Sequence, residues 1–286
     1  GMQPIDVDKQ YHFFNPRAGV SYTLAERNNF YLSFAVAQKE PTRSDFTDRY
    51  KFAADDTYPS SEKLYDWELG YQYTAPRLSL GVNLYYMKYK DQLVPTGMVN
   101  DGSDALNTNV SDSYRRGVEL SASWRATGWF TVGANATFSQ NRIESYVDAL
   151  KDSPTYGKEL GDMTIAYSPD VIANAFLNFH HRGFEAVFHT QHVGKQYFTN
   201  NENDALSLDA YCVTNLNLAY TFRTRTARSV RLGLLINNLF NAEYESNGYG
   251  YSYMDTWSSP APVRIDEAYY FPQAPLNVLA NVTVKF

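Results

Sequence analysis

Apolar and polar side chains alternate with a period of two over runs too long to fold as helix. In 77–90 (RLSLGVNLYYMKYK), Leu78, Leu80, Val82, Leu84 and Tyr86 share one parity, and Ser79, Gly81, Asn83 and Tyr85 share the other. In 129–141, Phe130, Val132, Ala134, Ala136 and Phe138 alternate with Thr131, Gly133, Asn135, Thr137 and Ser139. In 276–286, Leu276, Val278, Ala280, Val282, Val284 and Phe286 alternate with Asn277, Leu279, Asn281, Thr283 and Lys285. Such segments are strands with one apolar and one polar face. Fainter copies complete a set of about eleven strands at 12–24, 28–38, 64–74, 77–90, 114–125, 129–143, 170–180, 183–197, 207–222, 229–244 and 275–286. No stretch carries a helical period. The expected fold class is all-β and antiparallel.

The connectors sort by length. Short turns near 25–28, 75–76, 126–128, 181–183 and 223–228 alternate with long loops at 39–63, 91–113, 144–169, 198–206 and 245–274. A soluble β-sandwich or ligand-binding β-barrel has no reason to place every long loop at one end. An outer-membrane barrel does, with short turns in the periplasm and long loops outside. Five or six apolar residues per strand span the roughly 25 Å band that lipid requires. Aromatics make up 16% of the chain, and Tyr86, Phe138, Trp124, Trp129, Tyr220, Phe222 and Phe286 fall at the ends of the apolar band. That distribution suits interfacial girdles. The net charge of −6 argues against a nucleic-acid partner, and one cysteine excludes a disulfide framework. Eleven strands is an odd count, whereas single-chain barrels have even ones. Twenty-two-stranded barrels are transporters with a plugged lumen, and eleven is half of that.

Specific residues then carry a family resemblance. FFNPRAGVSY (13–22), FAVAQKEPTRSDF (34–46), the YDWELGYQY and LYYMKYKDQL hairpin (64–93), NVSDSYRRGVEL (109–120), HVGKQYF (192–198) and INNLFNAEYES (236–246) occur in family order. With the terminal Phe286, they resemble the C-terminal part of the β-barrel of a TonB-dependent outer-membrane receptor of Bacteroidetes type. The resemblance implies a transmembrane barrel of which residues 1–286 are about half, with the plug domain and N-terminal strands outside this sequence. It implies import of a scarce nutrient (an iron-siderophore, haem or a corrinoid) across the outer membrane, powered by the TonB energy complex acting on the plug. No cofactor and no enzymatic activity are expected. A complete small outer-membrane barrel acting as enzyme or adhesin is the alternative.

Particular residues receive roles within that picture. The ligand is expected on the external loops, at Arg43, Arg49 and Tyr58 and at Tyr249, Tyr251, Tyr253 and Trp257. Aromatics with a few charges suit a flat, partly apolar small molecule. Ala280, Val282, Val284 and Phe286 resemble the recognition signal for the barrel-assembly machinery. Arg17, Glu68, Asn83, Arg115, Glu119, Asn135, Asn215, Asn217 and Asn277 fall on lumen-facing parities, available to a plug. His189 and His192 lie three apart on a strand and point to opposite faces, so they share no metal. The cluster at 200–204 (NNEND) has the oxygen donors to hold calcium but lacks the fixed spacing of a known calcium loop, and it reads as a solvated loop.

Overall fold

An alternating strand buries or exposes one whole face only if its neighbours alternate in register with it. The computed structural model describes residues 8–47, 58–99, 105–258 and 260–286. The strands are β1 (Arg17–Leu24), β2 (Asn28–Lys39), β3 (Glu62–Thr74), β4 (Leu78–Val99), β5 (Ala105–Arg125) and β6 (Phe130–Val147). They continue with β7 (Glu159–Thr164), β8 (Val171–His181), β9 (Phe184–Val193), β10 (Gln196–Tyr197), β11 (Ser207–Leu208) and β12 (Tyr211–Phe222). The last four are β13 (Ser229–Asn237), β14 (Glu245–Asp255), β15 (Val263–Pro272) and β16 (Asn277–Lys285). One helical turn, α1, covers Arg43–Thr47. A single antiparallel sheet runs β1-β2-β3-β4-β5-β6-β8-β9-β12-β13-β16, with β7 paired to β6 beside the path. The path has eleven strands, as the alternation predicts, and among the described residues it is open, with β1 and β16 at its edges.

Register turns the alternation into two chemical surfaces. One row across the sheet reads Val20, Leu32, Leu69, Leu84, Val118, Phe138 and Val171. The row one residue away reads Gly19, Ser33, Glu68, Tyr85, Gly117 and Ser139. In the apolar row, Val20, Leu32, Leu69, Leu84 and Phe138 are 44–64% exposed. A sandwich would cover that face with a second sheet; among the described residues nothing covers it, which is the surface a bilayer solvates. Aromatics bound the apolar band at both ends. At the short-turn end, Phe130 stacks on Phe179 at 4.6 Å and Trp129 on Phe179 at 6.2 Å. At the other, Phe34, Trp67, Tyr86 and Tyr114 follow one another at 5.2, 5.8 and 6.3 Å.

The short turns are tight. Arg182 and Gly183 join β8 to β9 with φ of 47° and 84°. Both positive values mark the primed turn that matches strand twist. A Cβ on Gly183 would meet the Thr221 carbonyl oxygen at 2.4 Å, so the position requires glycine.

Several expected boundaries differ. Within the expected loops 91–113 and 144–169, residues 91–99, 105–113 and 144–147 continue β4, β5 and β6 beyond the upper girdle, and 159–164 add β7. There they pack on a small core of Val94, Val110, Ile143, Tyr146 and Ile165, which erases simple alternation. The loop expected at 245–274 contains the β14–β15 hairpin. The strand expected over 229–244 ends at Asn237, because Asn238 turns to φ 52° and its side-chain oxygen accepts from the Ala242 amide at 2.8 Å. The strand expected from residue 12 starts at Arg17, since Pro16 has no N–H to donate; its carbonyl still accepts from Val36. α1 was not expected. It is held by the Thr42 amide and hydroxyl, which donate to the Asp45 carboxylate, each at 2.7 Å, and it is too short to show a period.

Candidate functional site

The loop end of the sheet carries its own folded layer, and the β14–β15 hairpin gives it an aromatic surface. Tyr249, Tyr251 and Tyr253 alternate with Gly248, Gly250 and Ser252, so all three rings share one face. Register sets Tyr269 opposite Tyr249 and Glu267 opposite Tyr251. Tyr249 and Tyr269 stack at 4.9 Å with planes 15° apart, Tyr251 lies 6.4 Å from Tyr269, and Phe271 lies 6.1 Å from Tyr249. The opposite face is pressed against Phe198 and Leu206. A Cβ on Gly250 would sit 2.9 Å from each, so glycine lets the hairpin lie flat.

Glu267 is the hub of the aromatic face. Its carboxylate accepts the hydroxyls of Tyr251 at 2.6 Å, Tyr269 at 2.8 Å and Tyr253 at 3.1 Å. These donors hold its carboxyl below the usual range, and the carboxylate in turn raises the Tyr251, Tyr253 and Tyr269 phenols. The rings are thereby fixed in orientation with faces exposed. Sequence reasoning picked Tyr249, Tyr251 and Tyr253 but missed Glu267. Its signal was the alternation of Ile265, Glu267, Tyr269 and Phe271, hidden by reading the segment as loop.

The segment 198–208 welds the layer together. Asn200 is fully buried: its side-chain oxygen accepts from the Ala166 amide at 2.7 Å and its NH2 donates to the Pro95 carbonyl at 2.6 Å. Glu202 accepts from Arg142, from the Thr164 hydroxyl and, at 3.0 Å, from the Thr164 amide. Asn203 caps a 3₁₀ turn at the Ala205 amide, and Asp204 pairs with Lys195 at 2.5 Å. These residues are neither a solvated loop nor a convergent ligand set, because each faces a different partner. The hairpin joins through the Tyr167 hydroxyl, which donates to the Gly248 carbonyl at 3.4 Å.

Burial pushes the Glu202 carboxyl up, but the Thr164 and Arg142 donors more than offset this and hold it below its ordinary value. A lowered folded-state pKa contributes stability above the unfolded value, and that stability is lost as pH falls through the folded one. The clamp is therefore intact above roughly pH 4.3 and released in more acidic solution. The protection factor of the Thr164 amide, taken against its intrinsic exchange rate at each pH, should fall below that pH in the parent protein. Glu202→Gln should abolish the pH step, and a step that persists in the variant would exclude this cause.

The other candidates form a second group. Arg43 opens α1 and lines a cavity of about 440 Å³ with Lys9, Tyr11, Glu40 and Phe46. Tyr58 packs edge-on to Phe46 at 6.2 Å, under the Lys9 ammonium at 5.0 Å from its ring centre. Arg49 lies outside the described residues. Trp257, at the hairpin tip, is 95% exposed. Among the described residues no hydrogen bond, ion pair or ring contact joins Arg43 or Tyr58 to the hairpin. The aromatic face and the basic cavity are thus two separate surfaces on one layer.

The remaining sequence-based positions fall as follows. Ala280, Val282 and Val284 stand opposite Leu234, Leu232 and Val230 on the apolar face, and Phe286 follows, 92% exposed. On the polar face, Asn83 donates to Glu119 at 3.2 Å, Asn174 to Asn135 at 3.2 Å and Arg115 to Ser168 at 2.9 Å. His189 is registered with Asn215 and His192 with Cys212, on opposite faces of the sheet.

Comparison with known proteins gives a family match. The model of the TonB dependent receptor-like β-barrel matches residues 3–239. The pesticin receptor of Yersinia enterocolitica is 24% identical over 189 residues, which is 66% of this chain and 26% of the receptor. Among solved structures, the copper transporter OprC matches 94% of this chain and 39% of its own, with TM-score 0.67 and 18% identity. The ferric yersiniabactin uptake receptor FyuA of Yersinia pestis matches 94% of this chain and 37% of its own, with TM-score 0.64 and 20% identity. The ferric-catecholate import receptor Fiu of E. coli K12 matches 93% and 34%, with TM-score 0.64 and 18% identity. The chain thus spans between a quarter and two fifths of the length of these relatives.

Proposed function

The chain belongs to the TonB-dependent receptor-like β-barrel family, and on that premise we propose that it forms part of an outer-membrane receptor importing a ferric siderophore, with haem or a corrinoid as the other candidates. The observation that carries the reading is the aromatic face of Tyr249, Tyr251, Tyr269 and Phe271, held rigid by Glu267 at the loop end of the sheet. A flat ligand stacks on such a face. Lys9 and Arg43, in the neighbouring cavity, suit the negative charge of an iron chelate. The relatives include uptake receptors for ferric chelates and a copper transporter, which supports a scarce metal-bearing nutrient.

The same reading extends to the rest of the machine. Eleven strands covering under two fifths of each solved neighbour support a barrel of about twenty-two strands. A plug domain would dock on the lumen wall, where Glu68, Glu119 and Asn83 stand side by side, and would couple the receptor to the TonB complex. The lipid-face residues Ala280, Val282, Val284 and Phe286 would present the last strand to the barrel-assembly machinery.

Quenching of tyrosine and tryptophan fluorescence in the native full-length protein, titrated with ferric catecholate, haem and cobalamin, tests the substrate. One of the three should bind, and Tyr249→Ala or Tyr269→Ala should weaken it by about thirtyfold, as loss of an aromatic anchor does. Binding of none of them, or no effect of both substitutions, would overturn the reading.

A further inference from the structure

The three phenols nearest Glu267 bring their oxygens to one point. Tyr251 and Tyr269 donate to its Oε2 at 2.6 and 2.8 Å, and Tyr253 donates to its Oε1 at 3.1 Å. The Tyr251 and Tyr269 hydroxyls also hydrogen-bond each other. Stacking alone does not need these hydroxyls, because Phe271 packs on Tyr249 at 6.1 Å without one. Among the described residues no cation pairs with Glu267, so its charge is met by phenol donors alone. Tyr253 and Tyr269 are 41% and 44% exposed, which leaves the cluster open on one side. Three phenol oxygens and one carboxylate therefore share a small, accessible volume.

Such a donor set selects its occupant. A small hard cation bound octahedrally at about 2.0–2.1 Å holds adjacent ligand oxygens about 2.9 Å apart. The phenol oxygens here stand 2.6–3.1 Å from the carboxylate, with three protons in place of a cation. Residues 245–272 contain no histidine or cysteine, so a cation that prefers nitrogen or sulfur finds no ligand. The carboxylate raises the three phenols, so only a strongly polarising ion displaces their protons. A bound trivalent cation is the largest local charge and inverts that balance. Ferric iron is such an ion, and tyrosine oxygen is among the ligands that proteins give it.

We propose that Tyr251, Tyr253, Tyr269 and Glu267 form a binding site for ferric iron itself, as the ion or as a weak chelate with open coordination positions. Three phenol O–H bonds break, three O–Fe bonds form, and the protons leave to solvent. The Glu267 carboxylate supplies the fourth ligand. The cluster carries one negative charge before and after binding, since the ion's three charges replace three protons, and the iron stays ferric. Water or the chelator fills the remaining positions on the exposed side. The site deepens the receptor reading above and rests on it: the face that stacks a flat chelate would also hold its metal.

The test uses the native full-length protein in detergent, titrated with ferric nitrilotriacetate, whose ligand carries no phenol. The parent should bind iron with a visible phenolate-to-iron charge-transfer band. Tyr251→Phe, Tyr253→Phe and Tyr269→Phe each keep the ring and should each lower iron affinity by about tenfold or more. The triple variant should show no band. Tyr270→Phe, on the opposite face of the hairpin against Phe198, should match the parent. Absence of the band in the parent, or its persistence in the triple variant, would overturn the proposal. Quenching by ferric catecholate, haem and cobalamin is titrated on the same parent protein. Binding of one of them without the band overturns the iron site alone; no band and no binding of any overturns the receptor reading with it.

Discussion

Arginine in place of Val82 should destabilise the membrane-inserted sheet by about 2–4 kcal/mol, the cost of a cation on the lipid face near mid-bilayer. Val82 lies four residues from Leu78 and four from Tyr86, midway across the apolar band, with Tyr71 and Leu120 as its cross-strand neighbours. The adjacent Asn83 provides the control. It faces the other way and donates to Glu119 at 3.2 Å. Asn83→Arg should leave stability nearly unchanged, because the new cation meets a carboxylate and water rather than hydrocarbon. Urea unfolding of the native full-length protein in phosphatidylcholine vesicles reads both. Equal costs at the two positions would mean that the faces are assigned wrongly, and with them the lumen on which the plug is proposed to dock.

That the faces were legible follows from the solvent. On the proposed outer-membrane reading each strand meets hydrocarbon on one side and a polar lumen on the other for its whole length, which is why Leu78 to Tyr86 alternate without interruption. Beyond the upper girdle both sides meet water or a local core. Val94, Val110, Ile143 and Tyr146 are then buried by contacts with one another rather than by a uniform environment. The period is lost, and strand read as loop. The hairpin did alternate, but Gly248 and Gly250 look like turn residues until Phe198 and Leu206 are seen to need the space.

The candidate site divides along the same line. Tyrosine abundance near 250 was visible, because it is local. Glu267 acquires its role from the register that sets it opposite Tyr251, and Arg43 from a cavity shared with Lys9, 34 residues earlier. Asn200 reaches a carbonyl 105 residues away, and no local pattern announces such a bond.

Asn200→Ala should therefore have an effect far larger than a loop substitution ordinarily has. It leaves the Ala166 amide and the Pro95 carbonyl buried without partners, each a loss of about 1–3 kcal/mol. The lost stability belongs to the layer and not to the sheet in lipid, since the strands below carry their own backbone ladder. Exchange of the Ala166 amide should accelerate by at least about tenfold, the equivalent of 1.4 kcal/mol, while heat-resistant migration of the barrel stays unchanged. Phe198, two residues from Asn200, supports the hairpin by packing under Gly248 and Gly250. Ligand affinity should accordingly fall with Asn200→Ala although Asn200 touches no ligand. Unchanged exchange at Ala166 would mean that the side chain does not hold the layer. Faster exchange with full affinity would separate the weld from the aromatic face and place the ligand elsewhere, on the Arg43 cavity.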